Sequence, residues 1–177
     1  EPTEKEMVVA IYADAVDALK KGDAFYAAKK FKEAESLLPQ SEWAAKASLM
    51  ASYAEYSRNA FSNSIFGLER YIANYPADKN IPYAHYLIAI CYYEQILDEK
   101  KDLQPLVQAK EKFEFIMLTY PETDYATDAR FKLDLIIDQL AAKEMSIARY
   151  YMKTEKWIAA LNRLKTVVEK YDKTVFI

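Results

Sequence analysis

One spacing recurs along this chain and restricts its fold more than any other feature. A small residue is followed three positions on by a residue that is aromatic or small, then nine on by a second small residue. Four further on comes a large apolar side chain, and eight beyond that a breaker. Ala148, Tyr151, Ala160, Leu164 and Asp172 carry it, and Ala15, Ala18, Ala27, Phe31 and Pro39 repeat it with identical steps. Ser52, Glu55, Ser64, Leu68 and Pro76 form another copy, in which Glu55 stands at the aromatic slot and neighbouring Tyr56 is the substitute expected to fill it. Ala89, Tyr92, Ala109, Phe113 and Pro121 form the remaining copy, with a step of 17 between Tyr92 and Ala109 instead of 9, so eight residues are inserted there. Two antiparallel helices approach closely only where a side chain is little more than a methyl, and the large residues fill the space beside that contact.

The pattern is that of tetratricopeptide repeats. It predicts an all-α superhelix of antiparallel helix pairs, with repeats at about 5–39, 41–76, 80–121 and 124–172 in a single array over 1–177. Gly22 and Asp23 mark the first hairpin turn, Ser41 the N-cap of the third helix, and Tyr75-Pro76 and Tyr120-Pro121 later stops. The insertion, DEKKDLQP from Asp98, carries five charges in the seven residues to Gln104 and reads as a solvated spacer loop. After Pro121 the next small slot lies 27 residues on, against 13 after Pro39 and Pro76. The excess of 14 is about four helical turns, which lengthens a helix without rotating its apolar face. Asp124 to Lys153 contains neither Gly nor Pro, and Ala126, Ala129, Leu133, Ile137, Leu140, Ile147 and Tyr151 keep a stripe. One long helix at about 124–153 is therefore expected, with a break at Ala141 to Lys143 as the alternative. The chain stops at Tyr171 to Ile177, where another repeat would begin, so a further C-terminal repeat is expected in the natural protein.

Composition removes several function classes. With 24 basic and 27 acidic residues well mixed, there is no electrostatic footprint for nucleic acid or for anionic lipid. No apolar run approaches a membrane span, and the polar start EPTEKE is not a signal peptide. A single histidine, His85, rules out a histidine metal cluster, and a single cysteine, Cys91, in the apolar run LIAICYY reads as a buried thiol. No glycine-rich phosphate loop or nucleophile elbow is present. No catalytic residue, metal or cofactor is expected; His85 as a general base is weighed against a packed helical histidine, and the second reading is taken.

Binding has better support. In tetratricopeptide repeats, positions 2, 5, 9 and 12 of the first helix of each pair face the concave groove. Counted from the small slot, these are Val9, Tyr12, Val16 and Leu19, then Lys46, Leu49, Tyr53 and Tyr56, then Tyr83, Tyr86, Ile90 and Tyr93. The front repeats thus present a tyrosine-rich groove, and tyrosine offers a large apolar face and a hydroxyl at small conformational cost. For any single tyrosine, filling space between stacked helices is an equal reading; their convergence favours an extended peptide with aromatic side chains. The fourth repeat presents Ala142, Met145, Arg149 and Met152 instead, a surface for a different partner. Trp43 is expected beside the groove, and Trp157 inside the last helix pair.

The run LAAKEMSIARYYMKTEKWIAALNRLKTVVEKYDKT, with YPETDYATDARFKL and YIANYPADKNIPYAHYLIAICYYEQI before it, resembles the BamD family of outer-membrane assembly lipoproteins, also called ComL or YfiO, in its alphaproteobacterial form. The resemblance covers essentially the whole chain. It implies a non-enzymatic scaffold at the periplasmic face of the outer membrane, held by a lipid on an N-terminal cysteine that this sequence lacks. It also implies partners: periplasmic domains of BamA, unfolded outer-membrane β-barrel proteins, and other assembly lipoproteins. By position, Tyr12, Tyr53, Tyr56, Tyr83 and Tyr86 would meet C-terminal strand signals of the barrel proteins, with Val16, Leu49, Ile90 and Tyr93 beside them. Arg149 and Arg163 would dock BamA. The alternative is another periplasmic tetratricopeptide scaffold, such as a Tol-Pal-associated cell-division coordinator, whose more uniform repeats fit the two insertions less well.

Overall fold

The short stretches between breakers each close a helix, and their caps show why. The computed structural model describes residues 1–98 and 103–174. Its eight helices are α1 (Glu4–Lys20), α2 (Ala24–Leu37), α3 (Glu42–Ser57), α4 (Phe61–Asn74), α5 (Ile81–Asp98), α6 (Gln104–Thr119), α7 (Asp124–Lys153) and α8 (Trp157–Lys170), with no strand among the described residues. Thr3 and Glu6 form a capping box on α1: the Glu6 N–H donates to Thr3 Oγ1 at 3.3 Å and the Thr3 N–H to Glu6 Oε2 at 2.7 Å. The Thr3 N–H, joined by the Thr3 hydroxyl at 3.0 Å, donates to the Glu6 carboxylate and holds it below its ordinary pKa. Asp23, Ser41 and Thr123 cap α2, α3 and α7 through their side-chain oxygens, Ser41 as its sequence predicts.

Three hairpin turns share one geometry. Gly22, Asn59 and Glu155 each lie seven residues beyond their small slot and adopt left-handed backbone, with φ of 86°, 62° and 59°. In each, the next N–H reaches back to close the helix end: Asp23 to the Ala18 carbonyl at 2.9 Å, Ala60 to Glu55 at 2.9 Å, Lys156 to Tyr151 at 2.8 Å. The spacer expected in the third hairpin falls partly on residues 99–102, outside the described residues.

The chain forms two compact units, Glu1–Lys112 and Phe113–Ile177, divided within α6. In the first, α1 packs on α2, α2 on α3, α3 on α4 and α4 on α5. The small slots lie at the contacts: Ala15, Ala18, Ala27, Ala28, Ala51 and Ala54 bury together around Phe31, and Val8 buries with Ala34 and Ala47. Between α3 and α4 the small residues are Ser52, Ser64 and Gly67. The Ser64 hydroxyl donates to the Ser52 carbonyl at 2.8 Å, which satisfies a hydroxyl buried at the crossing. The aromatic slot of this repeat is not taken over by Tyr56. Glu55 itself is buried there, accepting from Lys32 Nζ at 3.0 Å and Arg58 Nη1 at 2.9 Å. Burial pushes its carboxyl pKa up, but the two cations outweigh that and hold it below the ordinary value.

In the second unit α7 runs unbroken for 30 residues and packs on α8. Its buried face is Ala126, Ala129, Leu133, Ile136, Leu140, Ala141 and Ala148. The helix passes through Ala141 to Lys143 without a break, and Ile136 takes the core position that the sequence stripe gives to Ile137. Ala148 and Ala160 are both buried in this hairpin. Trp157, expected inside it, is 60% exposed. It is the first residue of α8, and the buried positions of that helix begin at Ala160.

Candidate functional site

Tyr12, a groove position of α1, meets Trp43 at the start of α3. Its ring packs edge-on against Phe31 and Trp43, each at a centroid distance of 5.2 Å. Tyr12 and Trp43 are held there by the cluster of Val8, Ala34 and Ala47. Burial raises the Tyr12 hydroxyl pKa. Val16 packs half-buried beside it on the alanine cluster. Lys46 carries its ammonium 5.2 Å from the Trp43 ring centroid, a cation–π contact.

Further along α3, Tyr53 and Tyr56 lie 6.1 Å apart, and Phe61 at the start of α4 is 6.1 Å beyond Tyr56. The Tyr56 hydroxyl donates to Glu94 Oε1 of α5 at 2.5 Å, tying two neighbouring first helices together. Burial, then that carboxylate, push the Tyr56 pKa well above its ordinary value, so it remains a donor at any physiological pH. Tyr83, Tyr86 and Tyr93 on α5 are half-buried. Leu49 and Ile90, placed in the groove by spacing, are each only 6% exposed and belong to the core instead. Phe61 and Glu94 lie outside the groove rule. Glu94 follows Tyr93, the last groove position of α5, and that adjacency is its only sequence signal.

The opposite face of α3 borders a cavity of about 630 Å³ between α2 and α4, lined by residues including Glu35, Ser48, Glu55 and Arg70. Ser48 and Glu55 lie more than 100° around the helix from Lys46 and Tyr53. The charges in this cavity pair with each other: Arg70 Nη2 with Glu35 at 2.6 Å, Lys32 with Glu55 at 3.0 Å. The aromatic face is accordingly the better candidate for binding.

In the second unit Arg149 is exposed on α7, while Arg163 of α8 donates through Nη1 to both Glu144 oxygens, at 3.2 and 3.1 Å. Tyr150 and Met152 of α7 and Ile158 and Leu161 of α8 are exposed as well, the last two on the side of α8 away from Arg163. His85 is half-buried, and burial followed by the nearby Lys112 charge lowers its pKa. Among the described residues no group of side chains is arranged to hold a metal ion, and no helix is long and apolar enough to cross a membrane.

The YfiO family model, described as outer membrane lipoprotein, matches residues 4–176. The outer membrane protein assembly factor BamD of Caulobacter vibrioides is 40% identical over 171 residues, which cover 97% of this chain and 56% of that protein. Its counterpart from Rickettsia prowazekii is 33% identical over 167 residues, covering 94% of this chain and 66% of that protein. The same factor from Neisseria gonorrhoeae is 29% identical over 185 residues, covering 99% and 69%. The chain thus spans between about half and two thirds of the length of these relatives.

Proposed function

The chain belongs to the YfiO family of outer membrane lipoproteins, and on that basis we propose that it serves as a non-catalytic scaffold in the assembly of outer-membrane β-barrel proteins. Its front groove takes an extended C-terminal strand of an unfolded barrel protein. Its last helix pair, through Arg149 and Arg163, docks the periplasmic domains of BamA, and other assembly lipoproteins join the same complex. The natural protein works at the periplasmic face of the outer membrane, held by a lipid anchor outside this sequence.

The observation that supports this reading most is the aromatic surface of α1 and α3. Tyr12 and Trp43 at one end, and Tyr53, Tyr56 and Phe61 at the other, offer ring faces at spacings suited to the alternating side chains of a strand. An unfolded strand gains contact there without needing a preformed partner, and pays only for ordering a few residues. The named relatives are assembly factors of outer membrane proteins, which agrees with such a ligand.

The test is a titration with a peptide copying the last strand of a barrel protein. Replacing Tyr53, Tyr56 and Tyr86 together by alanine should weaken binding at least about tenfold, as loss of aromatic anchors does. Unchanged affinity in a folded triple variant would move the strand site elsewhere. For the second role, Arg149→Ala with Arg163→Ala should lower BamA capture while leaving peptide binding intact.

A further inference from the structure

Lys46 is the one groove position on α3 that carries a charge. Glu42 stands one turn before it on the same helix, yet Lys46 forms no ion pair with it or with any other described carboxylate; its ammonium rests over Trp43 instead. Trp43 in turn meets Tyr12 edge-on. An unneutralised cation therefore sits beside an aromatic corner. At the other end of the same helix face, Tyr56 holds Glu94, so the groove has a positive end and a negative end.

From this arrangement we propose that Lys46 reads the free α-carboxylate of the bound strand, with the terminal side chain seated against Trp43 and Tyr12. The proposal rests on the groove reading above and adds to it the direction of the ligand and the requirement for a chain end. A terminal carboxylate and its own side-chain ring are separated by only a few bonds, which suits a cation and an aromatic pair in contact. Ten residues separate Lys46 from Tyr56, about 15 Å along a helix. An extended strand covers that in roughly four to five residues. The end of the strand lies at Lys46, and the residue roughly four or five before it reaches Tyr53, Tyr56 and Glu94. Its backbone N–H groups and any basic side chain there meet the carboxylate end of the groove. An internal segment of the same sequence would leave Lys46 without a partner, so the groove selects termini.

The experiment uses two fluorescent decapeptides ending in Phe, one with a free carboxylate and one with a carboxamide, followed by polarisation. The native chain should bind the acid roughly three- to tenfold more tightly than the amide, the range of a partly exposed charge-assisted contact. Lys46→Met, which keeps the apolar stem over Trp43, should bind both peptides equally, at the amide's affinity; Lys46→Arg should keep the preference. Equal binding of acid and amide by the native chain, with loss on Tyr53→Ala and Tyr56→Ala, would overturn the carboxylate contact and leave the groove reading standing. A Lys46→Met variant weakened equally towards both peptides would reduce Lys46 to a support for Trp43. Failure of the native chain to bind either peptide would overturn the groove reading and this inference together.

Discussion

Gly67 meets Ser52 where α4 crosses α3: a Cβ at residue 67 would lie 2.4 Å from Ser52 Oγ. The serine hydroxyl is engaged with the Ser48 carbonyl at 3.3 Å, so it can yield only by giving up that bond. Gly67→Ala should therefore lower stability by about 1 kcal/mol, the overpacking cost exceeding the gain in helix propensity. With Ser52→Ala in place the same change should become neutral or stabilising. Thermal unfolding of the two single variants and the double variant decides this, and additive effects would show that the two residues do not interfere.

Glu155 occupies the left-handed turn slot that Gly22 and Asn59 fill in the first two hairpins. An ordinary side chain there costs about 1–2 kcal/mol, and glycine gives back part of the gain through the entropy of the unfolded chain. Glu155→Gly should raise stability by about 0.5–1 kcal/mol, measured by urea unfolding. A loss would mean that the Glu155 side chain makes a contact stronger than the strain.

The pairing of Glu55 with Lys32 and Arg58 makes stability depend on acid. Its folded pKa is below the ordinary value of 4.5, so the unfolded chain binds the proton more readily. The contribution is complete above pH 4.5 and disappears as pH falls through the lower folded value. Glu55→Gln should cost about 1 kcal/mol at pH 7, since both cations are solvent-accessible, and should flatten the loss of stability between pH 5 and 3. Parallel pH profiles for the two proteins would remove this residue from acid unfolding.

His85 acts in a higher window. Burial and Lys112 lower its pKa from 6.5, so the folded state favours neutral imidazole. Stability should be complete above pH 6.5 and fall as pH drops towards the lower folded pKa. His85→Gln should lose that slope between pH 7 and 5, read from denaturant midpoints, if the fold keeps the ring neutral.

Cys91 is fully buried, and burial pushes its thiol up to about 11. At pH 8 only about one thiol in a thousand is ionised, and that fraction lacks access to solvent. Alkylation should be negligible in the folded chain and rapid in urea. Fast labelling without denaturant would indicate local opening of α5.

Much of the fold can be read from small residues, because an alanine or serine at a helix crossing is a geometric requirement. Ala15, Ala27, Ser52, Ser64, Ala148 and Ala160 are all buried. The length of α7 follows from the absence of Gly and Pro together with an insertion near a whole number of turns. What spacing leaves out is depth and charge. It gives Leu49 and Ile90 the angle of the groove and not the burial they have, because depth depends on how closely the neighbouring helices approach. Glu55 shows the same limit: a carboxylate occupies an aromatic slot because Lys32 and Arg58, 23 residues before and 3 after it, neutralise it together. Phe61 reaches the aromatic surface from a second helix, and Glu94 from one residue beyond the rule, so only coordinates bring them beside Tyr56. Trp157 begins α8 ahead of its first buried position, and size alone did not indicate on which side it would fall.

A helix of 30 residues is about 45 Å long, and α7 lacks every ordinary hinge: no proline, no glycine, no bulge in its ladder. A displacement of its first turn at Asp124 therefore carries along the ladder towards Tyr151 and Lys153, softened only by the gentle curvature open to any long helix. Within its own unit α7 is a strut: its two ends, about four helical turns further apart than the spacing of the other repeats predicts, have no sharp hinge between them.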